Sequence, residues 1–350
     1  MFDLNFYKGK RVLLTGHTGF KGTWLSIMLL HLGAEVTGYS LEATEEESLF
    51  EMACVEKQIK HIIGDVRDLS HLKQVFENIQ PEIVFHLAAQ PLVRESYRNP
   101  VFTYETNVMG TVNILECVRL NPCVKSFLNV TTDKVYENKE WQWGYREIEP
   151  LDGFDPYSNS KSCSELVTHS YQKSFFSERE TSISTARAGN VIGGGDFARD
   201  RIIPDCIRAV RENKDIVVRN PFSIRPYQHV LEPLYAYLMI VAKQTEDKKY
   251  AGWYNVGPDE SDCFETGTLV DLFVKHWGNN LKWVRTNEEG PHEANFLKLD
   301  CSKLKSVFGW HPRWNLDQAV ERVVEWSKCW LSGGDIRTCM DKQIREFLEG

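Results

Sequence analysis

Short apolar runs at Val12-Leu13-Leu14, Val36 to Tyr39, Ile62-Ile63, Ile83 to Ala88 and Phe127 to Val130 alternate with segments of helical period, and this rhythm limits the fold more than any other feature. Parallel strands need long crossovers, the crossovers are right-handed, and their helices cover both faces of one sheet. The expected class is therefore α/β with a doubly wound parallel sheet, whose ligands bind beyond the carboxyl ends of the strands. In the first helix Trp24, Leu25, Met28, Leu29 and Leu32 share a face, which predicts packing on the sheet, and Gly33 stands where a left-handed C-terminal residue is expected.

After about residue 188 the rhythm breaks into pieces punctuated by Gly193-Gly194-Gly195, Pro204, Pro221, Pro226 and Pro258, with amphipathic helices predicted around 203–213, 231–244, 266–277 and 316–330. A chain of 350 residues has room for roughly two domains. The predicted division assigns 1–187 and about 226–253 to the sheet domain, and about 188–225 and 254–350 to a smaller mixed α/β C-terminal lobe, with a ligand cleft between them. Lys and Arg total 41 against 49 Asp plus Glu, a formal charge of −8 without a basic block, so nucleic acid is not an expected partner. Trp24 to Leu32 is too short to span a bilayer and Met1 to Arg11 lacks a signal-peptide core, so the expectation is no membrane association and a cytoplasmic location. The 9 Cys are scattered without a C-x-x-C pair, which predicts reduced packing thiols and no metal site.

The first strand runs into Thr15-Gly16-His17-Thr18-Gly19-Phe20-Lys21-Gly22 and directly into a helix. Glycines there permit a tight turn and close approach of the backbone to a pyrophosphate, while the helix start offers free amides. Gly16, Thr18, Gly19, Phe20, Lys21 and Gly22 are thus candidate residues for a dinucleotide, and the architecture is Rossmann-like. The same glycines also occur in turns without a ligand; the strand before and helix after favour the binding site. Where the second strand ends, Tyr39 is followed by Ser40 rather than an acid, and the nearest carboxylate is Glu42. Glu42 and Glu45-Glu46-Glu47 would repel the 2′-phosphate of NADP, so the cofactor reading is NAD, held with modest affinity and with Ser40 beside it. Asp65 and Val66 after the third strand would face the adenine, although Asp65 also reads as a plain turn carboxylate; Leu87, Ala88 and Ala89 would lie along the dinucleotide.

Tyr157-Ser158-Asn159-Ser160-Lys161 puts a phenol and an ammonium four residues apart on one face of a helix beginning near Pro156. A nearby ammonium stabilises phenolate, so Lys161 is expected to lower the Tyr157 pKa toward the range where it takes a proton from a substrate hydroxyl. Thr131-Thr132-Asp133-Lys134 follows the fifth strand, where Thr132 would hydrogen-bond the oxygen being oxidised. Asp133 and Lys134 read either as an acid–base pair in the cleft or as a surface ion pair.

With T-G-H-T-G-F-K-G, G-D-V-R-D, L-A-A-Q, T-T-D-K-V-Y and Y-S-N-S-K in this order, the chain resembles the extended short-chain dehydrogenase/reductases, also called the NAD-dependent epimerase/dehydratase family. The stretches at 186–205 (A-R-A-G-N-V-I-G-G-G-D-F-A-R-D-R-I-I-P-D) and 224–233 (I-R-P-Y-Q-H-V-L-E-P) are similar to those of the CDP-glucose 4,6-dehydratase branch. The resemblance implies a redox-neutral lyase in deoxysugar and surface-polysaccharide biosynthesis. Tyr157, with Lys161 and Thr132, would remove the hydroxyl proton at carbon 4 of the glucose while NAD takes the hydride; elimination across carbons 5 and 6 follows, and the hydride returns to carbon 6.

By the same resemblance Asp133 is the acid and Lys134 the base at carbon 5, with Asp133 as the alternative base. A lysine base must be neutral, and burial with Lys161 nearby would favour that form while Asp133 opposes it. Asn190 and Arg225 match positions near the nucleotide diphosphate of CDP-glucose; Arg199 and Arg201 are further candidates that also read as surface residues. Asn107 matches a family asparagine near the active site, or makes a structural helix contact. Helices over 100–120 and 157–178 match the usual dimer surface, implying a homodimer or homotetramer. The rival readings are a nucleotide-sugar 4-epimerase, a 4,6-dehydratase for another nucleotide sugar, and a non-catalytic dinucleotide sensor.

Overall fold

The computed structural model describes residues 3–43, 47–278, 281–286 and 296–350. Seven parallel strands form the central sheet: β1 (Arg11–Thr15), β2 (Glu35–Ser40), β3 (Lys60–Ile63), β4 (Ile83–His86), β5 (Ser126–Thr132), β6 (Ser182–Ala188) and β7 (Trp253–Val256), in the order β7-β6-β5-β4-β1-β2-β3. Strand order reverses between β1 and β4, and at such a switch point the flanking loops part to leave a crevice. The Gly16 turn and Leu87-Ala88-Ala89 flank that crevice.

Both faces of the sheet are buried, which is why its strands read as continuous apolar runs. On one face Val12, Leu14, Ile83, Phe85, Leu128 and Val130 pack with helices α1 (Phe20–His31) and, later in the chain, Leu231–Glu246. On the other, Leu13, Val84 and Phe127 pack with α2 (Leu69–Ile79) and α3 (Gly110–Leu120). The helix after β5, α4 (Pro156–Phe175), starts with Pro156 in its first turn and an Asp155 cap that accepts from the Ser158 amide at 3.0 Å. The later helices are α5 (Ile202–Arg211), α6 (Leu231–Glu246), α7 (Thr266–Trp277), α8 (Leu316–Leu331) and α9 (Ile336–Glu349). Ile203, Ile207, Leu269, Phe273, Val320 and Val323 from α5, α7 and α8 form a separate apolar core.

Two expectations need correction, and one helix lies outside them. The run expected to reach Ala88 leaves the ladder after His86, because the Ala88 amide donates to the Thr15 hydroxyl at 3.2 Å instead of continuing the strand. Helix α1 is not amphipathic: Gly22 to Leu29 are all buried, since α9 and the Gly193–Gly195 turn cover the face away from the sheet. Trp24 donates its indole N–H to the Gly194 carbonyl at 3.0 Å, and a β-carbon on Gly194 would lie 2.0 Å from the Trp326 ring. Helix α9 lies beyond the helices expected from the sequence, although Ile336, Met340, Ile344 and Phe347 form a buried stripe at helical spacing. Gly33 has φ +76°, as its place after α1 requires. No described helix is long and apolar enough to cross a membrane.

Glu232 at the start of α6 holds the segment that precedes α8. One carboxylate oxygen accepts from the Arg313 and Trp314 amides at 2.9 and 2.7 Å, while the other is buried without a partner among the described residues. Burial pushes this carboxyl up to about 7, against the pull of those amides and of Arg313. The folded value lies above the ordinary 4.5, so the folded chain keeps a proton that the unfolded chain has lost, and stability falls as pH rises through this window. Glu232→Gln retains the acceptor and has no proton to lose. The variant is expected to be more stable than the parent by about 2 kcal/mol at about pH 8, with the gap closing toward about pH 5. Thermal melts of both chains across that range check this; parallel curves would remove Glu232 as the cause.

Candidate active site

Two glycines of the first turn, Gly16 and Gly22, are fixed by what surrounds them. Gly16 has φ +76°, and a β-carbon there would lie 2.8 Å from the Ala88 nitrogen, so the turns after β1 and β4 touch backbone to backbone. A β-carbon on Gly22 would fall 2.1 Å from the Gly16 carbonyl oxygen. Gly19 is the N-cap residue of α1 without a side-chain cap, which leaves first-turn amides facing the crevice. The uncapped helix start with its free amides is a cradle that fits a dinucleotide phosphate, and Gly16 and Gly22 let the turn pack tightly enough to present it. Thr18 and Ser40 meet at 2.9 Å where β2 ends, and Thr18 also donates to the Leu41 carbonyl at 3.2 Å.

Other candidates around the cradle are engaged with the fold. Phe20 packs against Gly193. Asp65 accepts from the Arg67 amide and guanidinium at 2.9 and 2.6 Å, in keeping with a turn carboxylate. Buried Val66 lies against Gly110, and its carbonyl accepts from Asn113 at 3.0 Å. The Leu87 amide donates to the Thr15 carbonyl at 3.2 Å, and Leu87, Ala88 and Ala89 are half-buried at the rim. Glu42 is exposed, Glu47 pairs with Arg211 at 2.5 Å, and Glu45 and Glu46 lie outside the described residues.

At the end of β5, Thr132 donates to an Asp133 carboxylate oxygen at 2.9 Å and accepts from the Lys134 amide at 3.4 Å. The other Asp133 oxygen is buried without a partner among the described residues, beside Gly189, where a β-carbon would lie 2.9 Å from it. The Lys134 ammonium makes no hydrogen bond or ion pair among the described residues and is half-buried. Tyr157 is anchored through its amide, which donates to the Ser96 hydroxyl at 3.1 Å. Lys161 is buried and donates to the Val130 carbonyl at 3.1 Å.

The expected lowering of the Tyr157 pKa by Lys161 is not what this geometry gives. Burial pushes the phenol up to about 12, with Asp133 and Asp155 adding to the rise and the Thr132 hydrogen bond and Arg201 opposing it. The ammonium is turned onto the strand carbonyl, and desolvation of the phenol outweighs the cations around it. Burial, then the charge of Lys21, push Lys161 down to about 8; burial, then Arg201, do the same to Lys21. Asp133, Lys21, Tyr157, Lys161 and Arg201 therefore share one electrostatic site, of which Asp133, Tyr157 and Lys161 are buried.

The remaining candidates divide. Arg201 pairs with Asp196 at 2.8 Å. Buried Arg225 sits on a short strand that pairs antiparallel with Phe264–Glu265. Asn190 follows β6 and accepts from the Gln228 amide at 3.1 Å through its carbonyl, whereas Arg199 is exposed. Asn107 is a structural contact: its side chain bonds the Gln90 backbone amide and carbonyl at 2.8 and 3.1 Å and donates to Ser160 at 2.9 Å.

Sequence reasoning missed His17, Gly189 and Glu165. The buried His17 ring shares a 2.6 Å hydrogen bond with His61 and is pushed down to about 3 by burial and by His61. Glu165 continues the Tyr157, Lys161 spacing by four more residues, a signal the sequence carries openly.

The GDP-mannose 4,6 dehydratase family model matches residues 13–323. A CDP-glucose 4,6-dehydratase of Salmonella typhimurium is 48% identical, covering 99% of this chain and 99% of the relative. Among solved structures, a UDP-glucose 4-epimerase from Thermotoga maritima with UDP-glucose superposes with TM-score 0.80 at 21% identity, over 91% of this chain and 99% of that one. A dTDP-glucose 4,6-dehydratase from Bacillus anthracis in complex with NAD gives TM-score 0.76 at 20% identity, over 91% and 97%. The two solved structures share the fold, and the family model and the relative together reach across nearly the whole sequence: the chain belongs to the GDP-mannose 4,6 dehydratase family.

Proposed function

We propose that the chain catalyses the NAD-dependent 4,6-dehydration of CDP-glucose to CDP-4-keto-6-deoxyglucose and water. The observation that carries this is the gathering of Thr132, Asp133, Tyr157 and Lys161 in one dry cluster at the end of β5, alongside the glycine cradle. The choice of CDP-glucose rests on the 48% identical relative. On this reading 1–187 with about 226–253 hold the cofactor, and about 188–225 with 254–350 hold the nucleotide sugar.

Gly16, Thr18, Gly19, Phe20, Lys21, Gly22 and Ser40 would hold NAD, with Asp65, Val66, Leu87, Ala88 and Ala89 at its flank. When bound, NAD would supply the site that takes a hydride from carbon 4 and gives it back to carbon 6. Tyr157 accepts the carbon-4 hydroxyl proton, and Thr132 orients that oxygen. To accept that proton Tyr157 must be a phenolate, a form that the Thr132 hydrogen bond and Arg201 favour against burial. Lys161, one helical turn away, would favour it further only with its ammonium turned toward the phenol. The new ketone acidifies carbon 5, where Lys134 as its neutral amine, or Asp133, would take the proton. Asp133, one of whose oxygens has no partner among the described residues, would deliver a proton to the departing carbon-6 hydroxyl, and carbon 5 would be reprotonated as the hydride reaches carbon 6. Asn190, Arg201 and Arg225 would bind the diphosphate, Arg199 being the least favoured because it is exposed. Exposed Val101, Met109 and Leu166, on the packed helices over 100–120 and on α4, support a homodimer or homotetramer through this face.

CDP-glucose should be turned over in preference to dTDP-glucose, UDP-glucose and GDP-mannose, with catalytic NAD, no net NADH and solvent deuterium at carbon 5. A 4-epimerase would leave carbon 5 unexchanged, and steady NADH release would make the chain an ordinary dehydrogenase. Tyr157→Phe is expected to cut turnover by at least about 100-fold while NAD binding, followed by calorimetry, stays within about twofold; undiminished turnover would sink the assignment and favour a dinucleotide sensor. Gly189→Ala places a methyl group 2.9 Å from the free Asp133 oxygen and 2.7 Å from the Pro226 ring. It should slow elimination more than oxidation, by roughly tenfold, seen in quenched samples as a 4-keto hexose still bearing its carbon-6 hydroxyl.

A further inference from the structure

We propose that Glu165 and Arg187 form a positioning pair that sets the rotation of helix α4 against β5 and β6, and thereby the placement of Tyr157 and Lys161. The inference deepens the dehydratase reading and rests on it for the roles of those two residues. Tyr157, Lys161 and Glu165 follow one another at intervals of four along α4, so they form one stripe that drifts slowly around the helix. The first two face the reaction cluster; the third is locked beneath it.

The lock is specific. Glu165 and Arg187 both have 0% side-chain exposure, and their ion pair measures 2.9 Å. One carboxylate oxygen of Glu165 accepts from Thr131 of β5 at 2.5 Å. The other accepts from Thr185 of β6 at 2.7 Å and Arg187 of β6 at 2.9 Å, and meets the His169 ring at 3.2 Å. Arg187 also donates to the Tyr136 hydroxyl at 2.8 Å, which in turn donates to Asn255 of β7 at 2.6 Å. One buried carboxylate thus joins α4 to two adjacent strands next to Thr132, where an apolar contact would allow the helix to roll.

A charge effect accompanies the geometry. The titratable groups facing Lys161 are Lys21 from α1, His86 from β4 and Glu165 from its own helix, with Tyr157 four residues before it; Arg187, His169 and Tyr136 surround Glu165. Of these, Glu165 holds up the Lys161 ammonium against burial and Lys21. Burial is the largest influence on Glu165 and opposes its ionisation, but the charge and hydrogen bond of Arg187 together with the His169 and Thr131 hydrogen bonds outweigh it and hold the carboxyl well below the usual carboxylate range. The carboxylate is therefore ionised wherever the enzyme works.

The test uses two variants of the full chain. Glu165→Gln preserves shape and strands the Arg187 charge; Glu165→Gln with Arg187→Met removes both buried charges, a change that cores often tolerate. In both, kcat should fall roughly tenfold with KM within about twofold, because the pair touches no substrate. The alkaline limb should move down by about one pH unit in the single variant and about half that in the double. The Lys161 Nζ resonance of isotope-labelled lysine, assigned by its absence in Lys161→Arg, should shift in parallel. This resonance needs no turnover, so failure of the CDP-glucose assay in the parent chain counts only against the dehydratase reading. An unmoved limb and resonance in a folded variant would overturn the positioning role. So would a double variant that cannot fold, since the pair would then be holding the sheet together rather than setting the helix.

Discussion

The close approach of two backbones at the switch point governs much of this structure. With φ +76° at Gly16 and the Ala88 nitrogen in its place where a side chain would project, the loops after β1 and β4 meet directly. The contact releases β4 from the ladder at His86, lets the Thr15 hydroxyl take the Ala88 amide, and aims the start of α1 at the resulting crevice. Chemistry supplied by β5 and α4 is useful only because this crevice lies next to them in the sheet order.

The cluster beside it shows how burial and charge share control of reactivity. Desolvation raises Tyr157 and lowers Lys161 and Lys21, so each group is pressed toward its neutral form. Asp133 and Glu165 counter this from opposite sides, Asp133 at Lys21 and Glu165 at Lys161. Helix α4 serves both ends of this arrangement: its first turns carry the reacting groups, and its middle carries the acid that orients them.

Much of this was legible in the sequence because it lay in short-range patterns. The five early strands, the glycine turn, Thr132 to Lys134 and the Tyr157–Lys161 spacing are local features, and the four later helices expected near 203, 231, 266 and 316 lie within a few residues of α5 to α8. What escaped depends on contacts between distant segments. The all-round burial of α1 follows from a turn at Gly193–Gly195 and from α9, neither of which marks the α1 sequence itself. Arg187 reads as an ordinary strand residue until Glu165, 22 positions earlier, is seen to meet it. The direction of the Tyr157 shift was misjudged for a related reason: spacing reveals a neighbouring cation but not the depth of burial.

The cover over α1 bears on how the polypeptide is made. His31, in the last turn of that helix, bonds Asp341 of α9 across 310 residues. During synthesis the first βαβ unit leaves the ribosome early with an apolar outer surface, and it must wait for nearly all of the remaining sequence before that surface is sheathed. Packing of this first unit is thus paced by translation of the distal helices.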